Sequence, residues 1–327
     1  MQEIAKTNNH YAYSGSFFIK ILTILIVIGL SIYLYSSQEV SKEVSKSASI
    51  KVVFYQPLLK DKMDWNRNFK KLHQAGVESI ILQWSKFGLV DFLKDNKWLN
   101  NILYNAQKHN IKVVVGLYGD DRYFKTLEKK ETNVEIYLNS LLHKNILQAK
   151  KIYKIAKKYH SFSGYYIYDE IDDTNFVSIK RKASLKRYLK SMTKSLNKIS
   201  AHRLYISSYF SKHMPIEEYI GFISDIVDNR YTLLLQSGIG ANLVNAKESG
   251  RYMKIFSKKF KGEFIPIVES FKMNKTKIEA IDIDNLKRQI DILSQSANSS
   301  KLALFSLRYF LEDELFTNYC LKKSTIR

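Results

Sequence analysis

From residue 51 onward the chain alternates short, β-rich apolar runs with longer amphipathic stretches, and this alternation restricts the fold more than any other feature. The apolar runs are Lys51–Tyr55, Ser79–Gln83, Lys112–Leu117, Tyr165–Tyr168, Arg203–Ser208, Tyr231–Gln236, Phe264–Val268 and Leu302–Leu307. Between them, Trp65–Ala75, Trp98–His109, Ile136–Tyr159, Ile179–Ile199, Ala246–Lys259 and Ile283–Ser294 read as helices. Strands that are apolar throughout, each followed by a helix, imply a parallel sheet covered on both faces. Eight such units over about 270 residues predict an α/β fold, a (β/α)8 TIM barrel, spanning residues 50–327. A doubly wound open sheet is the alternative. It would carry a glycine-rich phosphate loop after its first strand, where this chain has Tyr55-Gln56-Pro57.

Ahead of the barrel, residues 17–35 are almost wholly apolar. As a helix they would reach about 28 Å, close to the hydrocarbon thickness of a bilayer. A cleaved signal peptide would show a shorter apolar core and small residues at the cleavage point, but Tyr33, Leu34 and Tyr35 precede Ser36. The segment is therefore expected to be an uncleaved transmembrane signal-anchor helix, preceded by a short cytoplasmic segment (1–16) and followed by a polar linker (36–49). Lys6 and Lys20 against Glu3 bias the N-terminus to the cytoplasm. The expected location is a bacterial inner membrane, single-pass, with the barrel periplasmic or extracytoplasmic.

Barrel chemistry sits where strands end and the next loops begin. The strand-exit residues include Gln56, Gln83, Trp84, Tyr118, Asp120, Asp169, Glu170, Tyr209, Gln236, Glu269 and Arg308. Aromatic faces stack on sugar rings while amides and carboxylates bond hydroxyls, so this inventory suits a carbohydrate. Glu170 ends the fourth strand and Glu269 the seventh. Glycoside hydrolysis needs two carboxyl groups flanking one bond. The expected roles are acid/base for Glu170 and nucleophile for Glu269, with Gln56, Gln83, Trp84, Tyr118, Asp120, Asp169, Tyr209, Gln236 and Arg308 as substrate contacts. Asp169, Asp172 and Asp173 crowd Glu170, and any of them could instead be the proton donor. The alternative is that these carboxylates only bind substrate or pair with Arg308.

Other chemistries find little support. No Walker loop or GxSxG elbow occurs, and Gly238-Ile239-Gly240 lacks the third glycine of a dinucleotide fingerprint. The histidines lack ligand spacing, and the single Cys320 excludes an intrachain disulfide or thiolate cluster, so neither metal nor cofactor is expected. The formal charge of +21 comes mainly from lysines on helical segments, such as Lys182, Lys186, Lys190, Lys194 and Lys198. These are outward positions in a barrel. They read either as a solvated exterior or as a docking face for anionic lipid or an acidic glycan. Nucleic acid is not an expected partner.

The stretches Phe54–Pro57, Leu82–Gly88, Val115–Tyr118, Gly164–Asp173, Ser207–Phe210 and Leu235–Gly238 resemble the bacterial DUF4434 family of uncharacterised (β/α)8 proteins, itself similar to barrel glycosidases. The resemblance runs from about Val52 to Phe310. Members often show Gln-Asp-Gly where this chain has Gln236-Ser237-Gly238, so an acidic contact there is missing. The resemblance implies the barrel more directly than any reaction. Together these readings predict a membrane-anchored glycoside hydrolase acting on a surface or exported polysaccharide by a retaining mechanism, or else a non-catalytic polysaccharide-binding or assembly factor on the same barrel.

Overall fold

A computed structural model describes residues 48–274 and 277–309. The expected membrane segment 17–35, most of the linker and residues 310–327 lie outside the described residues. Among those described, no helix is long and apolar enough to cross a membrane.

Eight parallel strands close into a barrel: β1 (Ser49–Tyr55), β2 (Ser79–Leu82), β3 (Lys112–Gly116), β4 (Phe162–Asp172), β5 (Arg203–Tyr209), β6 (Tyr231–Gln236), β7 (Phe264–Glu269) and β8 (Lys301–Phe305). Each pairs in parallel with its sequence neighbours, and β1 pairs with β8 (Ser49 opposite Lys301), which closes the ring. The longer helices are α1 (Trp65–Gln74), α2 (Lys97–Lys108), α3 (Val134–Ala156), α4 (Ile179–Asn197), α5 (Ile216–Ile226), α6 (Ala246–Lys259) and α7 (Ile283–Ser296), and a five-residue helix covers Tyr123–Leu127. The fold is the TIM barrel that the alternation predicts. Helix α5 is absent from the sequence reading, several strand ends shift by one to three residues, and two strand ends near the mouth differ in ways that bear on the site. Strand β4 runs to Asp172, four residues past its expected end, and β8 stops at Phe305, with Leu307–Tyr309 forming a 3-10 turn. Helix α5 follows Pro215, whose fixed φ suits a helix start.

Two apolar layers explain the continuous strand runs. Val53, Tyr55, Ile80, Leu82, Val113, Val115, Leu302 and Leu304 belong to the large core between sheet and helices. Val52, Phe54, Ile81, Val114, Tyr166, Leu234, Ile265, Ile267 and Ala303 form a separate cluster inside the barrel, with Tyr168, Tyr205 and Phe305 packed on it. Successive side chains on a strand point to opposite faces, so strand parity assigns every exit residue to one layer or the other. Small loops decorate the mouth: a three-stranded piece built from Lys86–Phe87, Val90–Asp91 and Tyr118–Gly119, and an antiparallel pair, Phe271–Asn274 with Lys277–Ala280.

Candidate active site

Continuing the inner-face parity past the interior cluster leads to Gln56, Gln83, Glu170, Tyr209, Gln236 and Glu269, whereas Tyr118 lies in the small three-stranded sheet and packs in the large core. The hydrogen bonds agree. Gln236 Nε2 donates to Glu170 Oε2 at 3.0 Å, a bond that passes across β5 and so requires both side chains to enter the barrel. Below them, the Tyr166 hydroxyl and Ser207 Oγ lie 2.7 Å apart.

Glu170 is partly exposed at this mouth, and its backbone carbonyl is held by the Tyr123 hydroxyl at 2.9 Å. Burial, opposed by the Gln236 bond and aided by the charges of Asp172 and Glu269, pushes its pKa up to about 7. A carboxyl that holds a proton near neutral pH can act as a general acid. Glu269 differs. It is fully buried; Oε1 accepts from the Gly238 N–H at 3.1 Å and Oε2 from the Gly240 N–H at 2.6 Å. Gln289 of α7 brackets its backbone, accepting from Glu269 N–H at 3.2 Å and donating to its carbonyl at 3.0 Å. Burial raises the Glu269 pKa, and the loop amides counter it. A Cβ on Gly240 would meet the Phe271 carbonyl oxygen at 2.4 Å and Glu269 Cβ at 2.9 Å, so only glycine lets the loop backbone come this close.

Gln83 is 4% exposed on the inner face, and its Oε1 has no hydrogen-bond partner among the described residues. An unpaired buried amide oxygen costs about 1–3 kcal/mol, a penalty that a ligand hydroxyl would relieve. Trp84 donates its indole N–H to the Pro57 carbonyl at 3.1 Å and stacks on Phe87 at 4.4 Å, with Tyr168 edge-on at 5.8 Å. Tyr118 lies under Lys144 Nζ, 4.8 Å from its ring centre. Burial raises the Tyr209 pKa, with Asp172 and Glu170 adding to the effect, so its phenol remains a neutral donor.

Three further expected substrate contacts are placed elsewhere. Asp169 has the opposite parity to Glu170 and is fully buried against the helices, where Oδ2 accepts from Asn145 Nδ2 at 3.0 Å and from the Tyr188 hydroxyl. Asp120 is 2% exposed, with its oxygens taken by the Arg122 N–H (3.0 Å) and the Tyr137 hydroxyl (3.1 Å). Arg308 pairs with Asp61 at 2.8 Å and donates to the Gln56 carbonyl, pairing with neither glutamate. Asp172 and Asp173 are also committed, each to backbone N–H groups of the loops that follow. Phe87, Tyr168 and Phe305 join the mouth without having been singled out from the sequence. For Tyr168 and Phe305 strand parity was the available signal. For Phe87, which comes from a loop, there was none. Among the described residues no group of His, Cys, Asp and Glu could hold a metal ion.

Comparison with known proteins agrees with this architecture. The curated protein YbcH of Escherichia coli K12, itself uncharacterised, is 26% identical over 216 residues, covering 64% of this chain and 71% of YbcH. A candidate α-L-fucosidase from Bacteroides thetaiotaomicron superposes with a TM-score of 0.63 at 17% identity, covering 85% of this chain and 92% of the other. A GH18 chitinase from Pseudoalteromonas aurantia gives 0.53 at 12% identity, with 84% and 98% covered. At such identities the structural likeness speaks for the barrel alone. The family model described as a domain of unknown function, DUF4434, matches residues 53–313, and the chain belongs to that family.

Proposed function

We propose that this protein is glycoside hydrolase-like and binds carbohydrate in the barrel mouth, with Glu170 as its proton donor. The observation that carries the reading is Glu170 itself: a carboxyl on the inner face at the end of the fourth strand, reachable from solvent, with its pKa pushed up to about 7. The unpartnered Gln83 oxygen, Gln236, Tyr209 and the Trp84–Phe87–Tyr168 cluster supply the polar and aromatic groups a sugar requires. In a retaining reaction Glu170 protonates the departing oxygen and Glu269 attacks from the opposite side. Each Glu269 oxygen accepts one loop amide and keeps a second lone pair, so the attack requires the Gly238–Gly240 loop to open enough to admit the sugar to this buried carboxylate.

The same burial of Glu269 favours a second reading, in which the barrel binds glycan without cleaving it. A panel of oligosaccharides incubated with wild type and Glu170→Gln, read by product release and by calorimetric binding, separates the two. Turnover lost in Glu170→Gln with binding kept supports the hydrolase. Binding without products in either protein supports the second reading, and neither binding nor products refutes both. We further propose that residues 17–35 anchor the chain in a bacterial inner membrane with the barrel outside the cytoplasm. Reporter fusions after residue 48 that are active only in the cytoplasm would overturn that placement.

A further inference from the structure

Charge is distributed unequally between the two ends of the barrel. At the mouth, Asp61 pairs with Arg308, Asp91 with Lys151, and Asp120 and Asp121 with Arg122, while Asp172 and Asp173 add further carboxylates held by backbone N–H groups. The opposite end, where strands begin and helices finish, is basic. The strand starts contribute Lys112, Arg203, Arg230 and Lys301. The acids there are already engaged: Glu78 with Lys51 at 3.3 Å and Lys301 at 2.9 Å, Glu263 with Arg203, and Asp228 with the Arg230 backbone N–H at 2.8 Å.

Around this base, Lys154, Lys157 and Lys158 at the end of α3 and Lys194 and Lys198 at the end of α4 are exposed. None has a carboxylate partner among the described residues. Cations in a last helical turn favour the helix dipole, which would account for Lys154 and Lys194. It does not account for the strand-start cations, nor for a face where basic residues outnumber the carboxylates Glu78, Glu263 and Asp228.

We propose that this base docks on the anionic headgroups of a lipid bilayer, leaving the mouth turned away from the surface. The lipid is favoured over other polyanions by the chain's course. Strand β1 begins at Ser49 on the base, hydrogen-bonded at its first N–H to the Ser300 carbonyl at 3.2 Å, so the polar stretch that follows the apolar segment 17–35 joins the barrel at this end. Residues 36–48 extend at most about 45 Å, so a barrel tethered at the surface repeatedly meets it. Screening confines the attraction to about 8 Å at physiological salt, so it acts on the face that lies closest. The proposal does not depend on the chemistry at Glu170.

The test is lysine footprinting of the full chain. The protein is mixed with vesicles of phosphatidylcholine alone or with added phosphatidylglycerol, labelled with a membrane-impermeant amine reagent and read by mass spectrometry. Phosphatidylglycerol should slow labelling of Lys157, Lys158 and Lys198 on the order of tenfold, and high salt should reverse it, because each basic residue near an anionic surface changes partitioning by about fivefold. Lys212 and Lys272 at the mouth should label equally on both vesicles. In the variant carrying Lys154→Gln, Lys157→Gln, Lys194→Gln and Lys198→Gln, the remaining Lys158 should lose its protection while circular dichroism stays unchanged. Labelling indifferent to phosphatidylglycerol, protection centred on the mouth lysines, or protection by DNA or an acidic polysaccharide but not by the vesicles would each overturn the proposal. Glu170→Gln should leave the footprint unaltered, which separates this outcome from the carbohydrate reading.

Discussion

Replacing Asp169 by asparagine tests whether the carboxyl beside Glu170 serves the fold or the mouth. Asp169 is fully buried, its Oδ2 accepts from Asn145 and Tyr188, and its Oδ1 has no partner among the described residues. Burial raises its pKa from 3.8 to about 7, with the Tyr188 and Asn145 bonds opposing. The native protein therefore holds a proton that the unfolded chain releases between those values. Stability from this group is fully present below the unfolded pKa and is lost as pH rises through the folded one. The slope in that window is about 1.4 kcal/mol per pH unit, which integrates to about 2.5 kcal/mol between pH 5 and pH 8. Asparagine removes the titration. It also places a buried N–H2 where Oδ1 lacked a partner, at a cost of about 1–2 kcal/mol near pH 5. Urea midpoints at several pH values, with a constant m-value, should show wild type losing stability toward alkaline pH, the variant responding less steeply, and the two curves crossing between about pH 6 and pH 7. An unchanged pH slope in Asp169→Asn would refute the burial argument. Loss of glycan binding in a folded Asp169→Asn protein would return Asp169 to the list of site residues.

Other perturbations follow from the same geometry. Glu269→Gln removes a charged acceptor from two loop amides and should destabilise by about 2–4 kcal/mol; hydrogen exchange at Gly238 and Gly240 should accelerate there and stay unchanged in Glu170→Gln. Gly116→Ala would set a Cβ 2.2 Å from the Gln83 carbonyl oxygen, so thermal denaturation should report a loss of at least about 3 kcal/mol, beyond ordinary overpacking because backbone cannot rotate away. Arg308→Ala strands Asp61, where burial opposes ionisation but the bonds from Arg308, Tyr55 and Leu58 N–H now hold the pKa below its usual range. Chemical denaturation should show a loss of about 2 kcal/mol, and the Asp61 pKa, read by NMR, should rise.

The barrel was legible because its strands are buried on both faces, which forces the continuous apolar runs that no loop in this chain matches. Parity carried that legibility into the site. Once Phe54, Tyr166, Leu234 and Ile267 are known to fill the interior, two-residue steps lead to Gln56, Glu170, Gln236 and Glu269. A one-residue step from Glu170 leads instead to Asp169, among the helices. An inventory of strand-exit residues counts both carboxyls alike, although the pleat separates them. Partners distant in sequence were not legible at all. Asn145 and Tyr188 hold Asp169 from two helices, Asp61 claims Arg308 across the closure of the barrel, and the Gly238–Gly240 loop encloses Glu269. Spacing along the chain can nominate a carboxylate for chemistry, but the hydrogen bonds decide which of its oxygens remain for a substrate. By that criterion Glu170, with one oxygen bonded to Gln236 and its side chain open to the mouth, is the carboxyl on which the functional question turns.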